Sequence, residues 1–439
     1  MQTLTAEPTT RQTTQQANSA RLRLLVLAFD CHPTLPSLPV IAFKMCRELG
    51  RSAEVTVVSR KQDDHFDIDG TETVFVDVDR IKKPLDRIAD TLRGGRTVGW
   101  TTKTAFTYPS YLAFERAVWK RYKKRLRSGE FDAVLRISPM SPILVSPMAK
   151  WCPVPFIIGP VNGGLPFPKE VMHVQKKERE WLNPVRKFHR YLPYAQSSYK
   201  HAAAILAGFQ HTFDSLPAAS RKNAINFPEI GYDPKLFYPA ETLPPTDKVR
   251  FVFVGRLVAG KAPDALVEAF ATNPKLQSHE LTIVGEGPDR EIMEKMIAEH
   301  SLEHCVNLVG AKSQAEVGQI LRRSHVFAFP SIRELGAGVV IEAMGCGLPC
   351  VVFNSGAQGC LVDSRRGVPV PLVPRDQMPA LLGDAMQRYI DEPGLLERHR
   401  ERSLDYASGY TWRHKVENLI TSIRWATGEI GEKPEFYPL

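Results

Sequence analysis

The sequence predicts an α/β protein with two doubly wound parallel sheets, and three observations support this prediction. Short apolar runs alternate with helical stretches along the chain, a pattern typical of strands that are buried on both faces of a sheet. The alternation restarts near residue 250. The length of 439 residues suits two to three domains of about 150 residues each.

The predicted strands follow one another in chain order on both sides of this restart. The first half contains Leu22–Phe29, Val55–Ser59, Thr73–Val76, Ala133–Ile137, Phe156–Ile158 and Ala204–Leu206. The second half contains Arg250–Val254, Leu281–Val284, Val306–Val309, Val326–Phe329 and Cys350–Phe353. Two Rossmann-like domains are therefore expected, with ligands at the carboxyl ends of their strands.

Changes in composition suggest the domain boundaries. Residues 1–20 are polar and rich in Thr and Gln, which predicts a disordered tail. The Pro-rich polar segment 241–248 is the best candidate for a linker. It separates a first domain at 21–240 from a second domain at 249–408, with residues 409–439 left as a C-terminal segment.

Composition narrows the class of protein. The chain is 43% apolar and 24% charged, and it contains no apolar stretch of a signal peptide or spanning helix. Seven scattered cysteines without a CxxC pair argue against a disulfide framework or a zinc site, and favour a cytoplasmic protein. The net charge of +9 predicts an anionic partner, such as a nucleotide, an acidic glycan or a membrane surface.

Two cations follow the first strand of the second half. Arg256 and Lys261 lie on the loop after Gly255, where a guanidinium and an ammonium could bind a diphosphate. Gly255-x-x-x-x-Gly260-Lys261 also matches a P-loop up to its last position. That position is Ala262, which lacks the hydroxyl that ligates magnesium. A P-loop hydrolase is therefore a minor alternative, and solvated loop charges are another.

Two further loops carry candidate ligand-binding residues. Gly285-Glu286-Gly287 follows a strand and precedes Pro288, so the backbone could approach a ligand closely at a helix start. Glu334, the turn Gly336-Ala337-Gly338 and Glu342 follow the strand Val326–Phe329. The two carboxylates are separated by about 10 Å if most of the interval is helical. They could contact the two hydroxyl-bearing ends of a nucleotide sugar. Taken singly, each Glu is better interpreted as an ordinary helix-face or solvated loop carboxylate; the combination with the Gly-rich turn and the cation loop favours a binding site.

Together these motifs resemble glycosyltransferase family 4, whose members are retaining enzymes of GT-B architecture. The motifs are Gly255-Arg256-Leu257 with Lys261, Gly285-Glu-Gly-Pro288, and Glu334-x7-Glu342-Ala-Met-x-x-Gly-x-Pro349. The first half adds Asp233-Pro-x-x-Phe237-x-Pro239 and the loop Gly159-Pro-Val-Asn-Gly-Gly164. The resemblance implies two Rossmann-like domains that face each other across a cleft.

The resemblance also implies a role for each matching residue. Arg256 and Lys261 would hold the donor diphosphate, with help from Gly285, Glu286, Gly287 and the amides of Gly336, Ala337 and Gly338. Glu334 would contact the transferred sugar as the catalytic residue, and Glu342 the ribose. Asn162, Gly163 and Gly164 would lie on the acceptor side, and a helix after Tyr410 would cross back onto the first domain.

The acceptor side departs from the family pattern. Leu135-Arg136 stands where the family usually has a histidine, so Arg136 is the acceptor-side candidate there. The first loop, from His32 to Pro39, lacks the usual Gly pair and Glu. No general base is assigned, and His32 is more simply a structural histidine.

The resemblance implies hexosyl transfer with retention, and without a metal or cofactor, from a nucleotide-diphosphate sugar to a glycan or lipid-linked acceptor. No carboxylate cluster for magnesium accompanies the cation loop, and a nucleic-acid partner is not expected. A nucleotide-sugar-binding pseudoenzyme and a GT-B epimerase are the rivals. The basic, aromatic stretches 115–127 and 176–191 indicate either docking to an anionic membrane or solvated helix faces with inward aromatics.

Overall fold

A computed structural model describes residues 21–35, 37–93, 100–168, 194–242 and 245–437. The predicted tail 1–20 and the basic stretch 176–191 lie outside these residues. The predicted linker 241–248 is described except for 243–244.

The first half forms a seven-stranded parallel sheet with the order β3-β2-β1-β4-β5-β6-β7. Its strands are β1 Arg23–Ala28, β2 Glu54–Arg60, β3 Thr71–Val76, β4 Ala133–Ser138, β5 Phe156–Val161, β6 Ala204–Ala207 and β7 Ala224–Asn226. Its helices are α1 Leu38–Ser52, α2 Asp79–Arg93, α3 Trp100–Arg127, α4 Met148–Trp151, α5 Ala195–His201 and α6 Phe209–Ser215, with a 3₁₀ turn at Ala218–Asn223.

The second half forms a six-stranded parallel sheet with the order β10-β9-β8-β11-β12-β13. Its strands are β8 Arg250–Val254, β9 Glu280–Val284, β10 Val306–Gly310, β11 Val326–Phe329, β12 Cys350–Phe353 and β13 Gly367–Val370. Its helices are α7 Asp264–Thr272, α8 Arg290–Glu299, α9 Gln314–Arg322, α10 Gly338–Gly345, α11 Gly356–Leu361, α12 Met378–Asp391 and α13 Leu395–Ser408, with 3₁₀ turns at Leu276–Ser278 and Arg375–Gln377.

These two sheets confirm the predicted fold class. The central strands are apolar at nearly every position because helices cover both faces of each sheet; β4, β5, β11 and β12 are buried throughout. Each strand predicted from the sequence is present. The sequence analysis missed β7 and β13, which are short strands of three and four residues at the sheet edges.

The last helix, α14 Trp412–Thr427, belongs to the core of the first half. Trp412, Val416, Leu419 and Ile423 pack with residues of β1 and α1. Thr411 caps this helix, since its side chain accepts a hydrogen bond from the His414 amide. Helix α14 therefore packs on the same half of the molecule as strand β1, although the second sheet lies between them in sequence.

Three absences predicted from the sequence can be compared with the structure. All seven cysteines are free thiols. Within the described ranges, no helix combines the length and the apolar character that crossing a bilayer requires. No cluster of three or more His, Cys, Asp or Glu side chains that could hold a metal occurs among those residues.

Candidate functional site

The order of the second sheet places two predicted loops side by side. β8 and β11 are neighbours, paired through Phe251 with Val326 and through Val252 with Phe327, although three helices and two strands separate them in sequence. This reversal of strand order creates a crevice at the carboxyl ends of the strands. The cation loop leaves β8 there, and the loop with Glu334 leaves β11.

Lys261 and Glu334 are in direct contact at this crevice. The Lys261 ammonium donates to the Glu334 carboxylate, and the two side chains are only 19% and 13% exposed. The Ser331 hydroxyl lies within hydrogen-bonding distance of both the same carboxylate and the Gly260 carbonyl. The Ile332 amide donates to Gly260 at 3.0 Å, so the two loops are fixed to each other.

Lys261 does not occupy P-loop geometry. Ala262 has a left-handed φ of 45°, Pro263 follows, and α7 begins only at Asp264. A P-loop lysine and the following hydroxyl residue open the helix directly. The minor alternative of a P-loop hydrolase therefore finds no support in this backbone.

The glycine pair after β9 packs against the cation loop. Gly285 has a φ of 142°, and a Cβ atom there would lie 1.8 Å from the Gly255 carbonyl oxygen. A Cβ on Gly287 would lie 2.2 Å from the Leu257 carbonyl oxygen. Glycine is needed at both positions because the backbones of the two loops are in contact. Glu286 points outward and pairs with Arg290 at 3.0 Å.

Arg256 lies on the cation loop with an exposed side chain. The structure thus brings Lys261 to Glu334 but leaves the Arg256 guanidinium toward solvent. An exposed guanidinium beside a crevice remains able to grip a phosphate bidentately.

The turn Gly336–Gly338 starts helix α10. Ala337 adopts a left-handed φ of 54° as its N-terminal flanking residue. The first amides of a helix have no intrahelical acceptor and carry partial positive charge, so this turn suits an anion. Behind it lies a buried carboxylate, since a Cβ on Gly336 would approach Glu229 Oε1 to 2.3 Å.

Glu342 lies near the middle of α10 and is partly buried. Burial raises the pKa of its carboxyl to about 7, and the positive charge of Lys44 on α1 lowers it in part. Lys44 belongs to the first half of the chain, so a charge of one domain acts on a predicted ligand-binding residue of the other. The Lys44 ammonium also reaches Gln314 of α9 at 3.5 Å.

The loop after β5 contacts the donor-side turn directly. Asn162 donates one amide hydrogen bond to Glu229 and one to the Leu335 carbonyl at 2.6 Å. Its carbonyl oxygen lies 3.3 Å from His211 Nε2 and 3.4 Å from Thr212 Oγ1. An asparagine amide has two hydrogens, and both are used within the protein. The Asn162 amide therefore has no hydrogen left for an acceptor, which argues against the predicted binding role for this side chain.

The two glycines after Asn162 occupy different surroundings. Gly163 is buried, and its amide donates to Thr212 at 3.2 Å. Gly164 is exposed with a φ of 84°. Next to it, Arg333 donates to the Leu165 carbonyl at 2.7 Å and lies 4.5 Å from the Phe167 ring. This gives a further polar contact between the two halves.

Arg136 requires a correction. Its side chain is 1% exposed inside the first half, where it donates to the Leu144 carbonyl at 2.5 Å and approaches Ser146 at 3.3 Å. Its positive charge lowers the pKa of the buried Glu115 carboxyl, which burial raises more strongly. Arg136 stabilises a buried polar cluster, so its position argues against contact with an acceptor. His32 is also buried, and its Nδ1 accepts from the amides of Thr34 and Leu35, as expected of a structural histidine.

The sequence analysis missed Glu229, Lys415 and Arg333. Glu229 is 3% exposed, and burial raises its pKa to about 7. Lys415 on α14 is fully buried over the rings of Phe227 and Tyr437, and burial lowers its pKa well below the usual value. Neither Glu229 Oε2 nor the Lys415 ammonium has a hydrogen-bond partner in the described part of the chain. No sequence pattern marks Glu229 and Lys415, because their proximity depends on the crossing of α14, and none marks Arg333, because its partners Leu165 and Phe167 are distant in sequence.

Residues 235–402 match a family model described as glycosyl transferases group 1. This part of the chain is a glycosyl transferases group 1 domain. It contains the cation loop, the glycine pair and the turn at α10. The model matches less than half of the chain, and the first 234 residues lie outside it.

Curated relatives match parts of the chain. A D-inositol 3-phosphate glycosyltransferase of Stackebrandtia nassauensis is 26% identical over 208 residues, 43% of this chain and 46% of that protein. An alpha-D-kanosaminyltransferase of Streptomyces kanamyceticus is 29% identical over 160 residues, 36% of this chain and 40% of that protein. The chain thus spans less than half the length of these relatives.

Solved structures match nearly the whole chain. Sucrose-phosphate synthase of Thermosynechococcus elongatus superposes with a TM-score of 0.65 at 16% identity, covering 93% of this chain and 100% of that one. HepE of Anabaena, solved in complex with UDP, superposes with a TM-score of 0.60 at 13% identity, covering 92% and 99%. These similarities establish the GT-B fold.

Proposed function

We propose that this chain is a retaining, metal-independent glycosyltransferase. It transfers a hexose from a nucleotide-diphosphate sugar to a glycan or lipid-linked acceptor, in the biosynthesis of a cell-surface polysaccharide or glycolipid. It works in the cytoplasm or at the inner face of the membrane. The observation that carries the proposal is the contact of Lys261 with Glu334 between the β8 and β11 loops of a group 1 domain.

The proposed roles follow from charge and position. Cleavage of a sugar–phosphate bond leaves negative charge on the diphosphate, and preorganised positive groups stabilise that charge as it develops. Lys261, Arg256 and the amides of Gly336–Gly338 supply such groups without a metal. Glu334 contacts the transferred sugar, Glu342 contacts the ribose, and the glycine pair at 285 and 287 lets the backbone approach the nucleotide.

The acceptor is proposed to bind at the exposed Gly164 side of the loop after β5. Gly163 shapes that loop through its bond to Thr212. We propose no acceptor contact for the side chains of Asn162 and Arg136, because both donate hydrogen bonds to groups within the protein. We assign no general base.

The first experiment identifies the donor. Nucleotide sugars are compared by thermal shift, since a ligand that binds the folded state raises its stability by mass action. The stabilising donor is then incubated with glycan and lipid-linked acceptors and with inositol phosphate, the acceptor in the name of the Stackebrandtia relative. Transfer must persist in EDTA, and the anomeric configuration of the product must equal that of the donor.

Two variants test the site itself. We expect Lys261→Ala and Glu334→Gln to lower turnover by about 100-fold or more, the usual loss of one group that stabilises transition-state charge. Lys275→Ala is the matched control, because Lys275 forms an exposed ion pair with Asp391 on the same domain. Near-normal turnover in either site variant refutes the assignment. Donor conversion without acceptor would indicate an epimerase, and donor binding without turnover a pseudoenzyme.

A further inference from the structure

The basic stretch at 115–127 divides into an inner and an outer side on α3. Tyr122 is fully buried, and Trp119 packs against Trp151 with ring centroids 6.1 Å apart. Both aromatic residues therefore serve the interior, as the second sequence interpretation expected. The charges remain outside, because Arg116, Lys120 and Arg127 are all exposed.

The exposed apolar side chains next to α3 belong to the neighbouring helix α2. Ile81, Ile88 and Leu92 of α2 are 41%, 48% and 55% exposed. Spacings of seven and four residues place them in one stripe on the helix surface, about 16 Å long. Single exposed apolar residues are ordinary, but a contiguous stripe on a protein surface needs an explanation.

Positive charge borders this stripe on two sides. On α2, Arg80 and Arg87 are exposed along one flank of the stripe. On the other side, Ile81 meets α3 at a cavity of about 470 Å³ that Leu112, Arg116 and Lys120 also line. A second cavity shares Arg116 and Lys120 and extends the basic surface to Arg127. Apolar and basic groups thus form one continuous surface.

We propose that this α2–α3 face, formed by Ile81, Ile88 and Leu92 with Arg80, Arg87, Arg116, Lys120 and Arg127, docks the chain on an anionic phospholipid bilayer. An interfacial helix buries its apolar side chains among the acyl chains while flanking cations contact the headgroups. Anionic lipid fits the face better than an apolar protein partner, because the face carries five exposed cations beside three exposed apolar residues. The net charge of +9 acts in the same direction.

The inference goes beyond sugar transfer and is tested without a donor or an acceptor. The full chain is sedimented with vesicles of phosphatidylcholine alone and with vesicles that contain equal parts of phosphatidylglycerol. We expect binding to the anionic vesicles only, and weaker binding at high salt, since salt screens exposed charges beyond a distance of about 10 Å at 0.1 M.

Paired variants locate the surface. Ile88→Ser/Leu92→Ser should weaken binding by about tenfold or more through lost apolar burial. Lys120→Ser/Arg127→Ser should weaken it by about 30-fold, at about fivefold for each cation. The controls lie on the second domain: Ile292→Ser, at a position 53% exposed on α8, and Lys295→Ser/Arg402→Ser, at two exposed cations. Circular dichroism verifies that each variant is folded.

Three results would overturn the proposal. The first is equal binding to neutral and anionic vesicles, or to neither. The second is an equal loss in the second-domain controls, which would indicate attraction by net charge alone. The third is a dimer in sedimentation equilibrium that Ile88→Ser/Leu92→Ser dissolves, which would make this face a contact between two copies of the chain.

Discussion

The contact between Lys261 and Glu334 predicts opposite effects of the two residues on binding of a nucleoside diphosphate. Without ligand, the Lys261 ammonium is neutralised by Glu334 in a largely buried pair. A diphosphate at the β8 loop must compete with that carboxylate for the ammonium. Removal of Lys261 should therefore weaken binding, whereas Glu334→Gln should leave it unchanged or strengthen it.

The expected change in Kd follows from the loss of one charge-assisted hydrogen bond. Such a bond contributes about 1.5–3 kcal/mol, so Lys261→Met should raise the Kd for the diphosphate by about 45-fold at the middle of this range. At a ligand concentration of about 100 times the wild-type Kd, the ligand stabilises the wild-type protein by about 2.7 kcal/mol. The same concentration should stabilise Lys261→Met by only about 0.7 kcal/mol.

Denaturant unfolding with and without the nucleoside diphosphate measures both effects. Lys261→Met without ligand should itself lose about 1–3 kcal/mol, because Glu334 is left partly buried and unpaired. The double variant Glu334→Gln/Lys261→Met should be more stable than Lys261→Met alone, because no unpaired carboxylate is left. Lys275→Met, which removes an exposed pair, should change neither quantity by more than about 1 kcal/mol. If Lys261→Met and Glu334→Gln weaken diphosphate binding equally, Glu334 does not compete with the diphosphate for Lys261, and the geometry proposed for the donor phosphates is wrong.

Two further predictions concern stability. Because burial raises the pKa of Glu229 from 4.5 to about 7, the folded protein binds that proton more tightly than the unfolded chain does. The free energy of unfolding should therefore fall by up to about 3 kcal/mol as pH rises from about 4.5 to 7. Glu229→Gln should reduce this fall, and an unchanged pH dependence of the free energy of unfolding, measured by urea titration at each pH, would contradict the prediction. Gly285→Ala should lower the free energy of unfolding by several kcal/mol through the clash with Gly255 and the positive φ. Gly129→Ala, at a φ of 75° with nothing within 4 Å, should lower it by only about 1–2 kcal/mol. Comparable thermal midpoints for the two variants would show that the two loops move apart to accommodate the added Cβ atom.

The parts of the site that could be predicted from the sequence lie on loops between adjacent strands. The loop that carries Lys261 and the loop that carries Glu334 each follow a strand that apolar patterning reveals. Parallel α/β topology brings the carboxyl ends of such strands to one edge. Local sequence and a general topological rule therefore suffice to bring these two residues near each other.

The parts that could not be predicted depend on contacts between distant segments. Glu229 meets Asn162 across 67 residues, and the charge of Lys415 acts on it from the helix that crosses back, without a hydrogen bond between them. Arg136 misled the sequence interpretation for a related reason. An arginine on a strand resembles a ligand-binding cation until the strand is known to lie in a core where every position is buried.

The hydrogen bonds of Asn162 connect the two halves of the chain at the donor-side turn. Asn162 holds Leu335 and Glu229 together, and Glu229 lies against Gly336. Arg333 grips Leu165 beside it. Separation of the domains must break both polar contacts and would leave the Leu335 carbonyl, in front of the α10 amides, without its partner. The conformation of the proposed phosphate turn therefore depends on closure of the first domain over it, so donor binding and domain closure should strengthen each other.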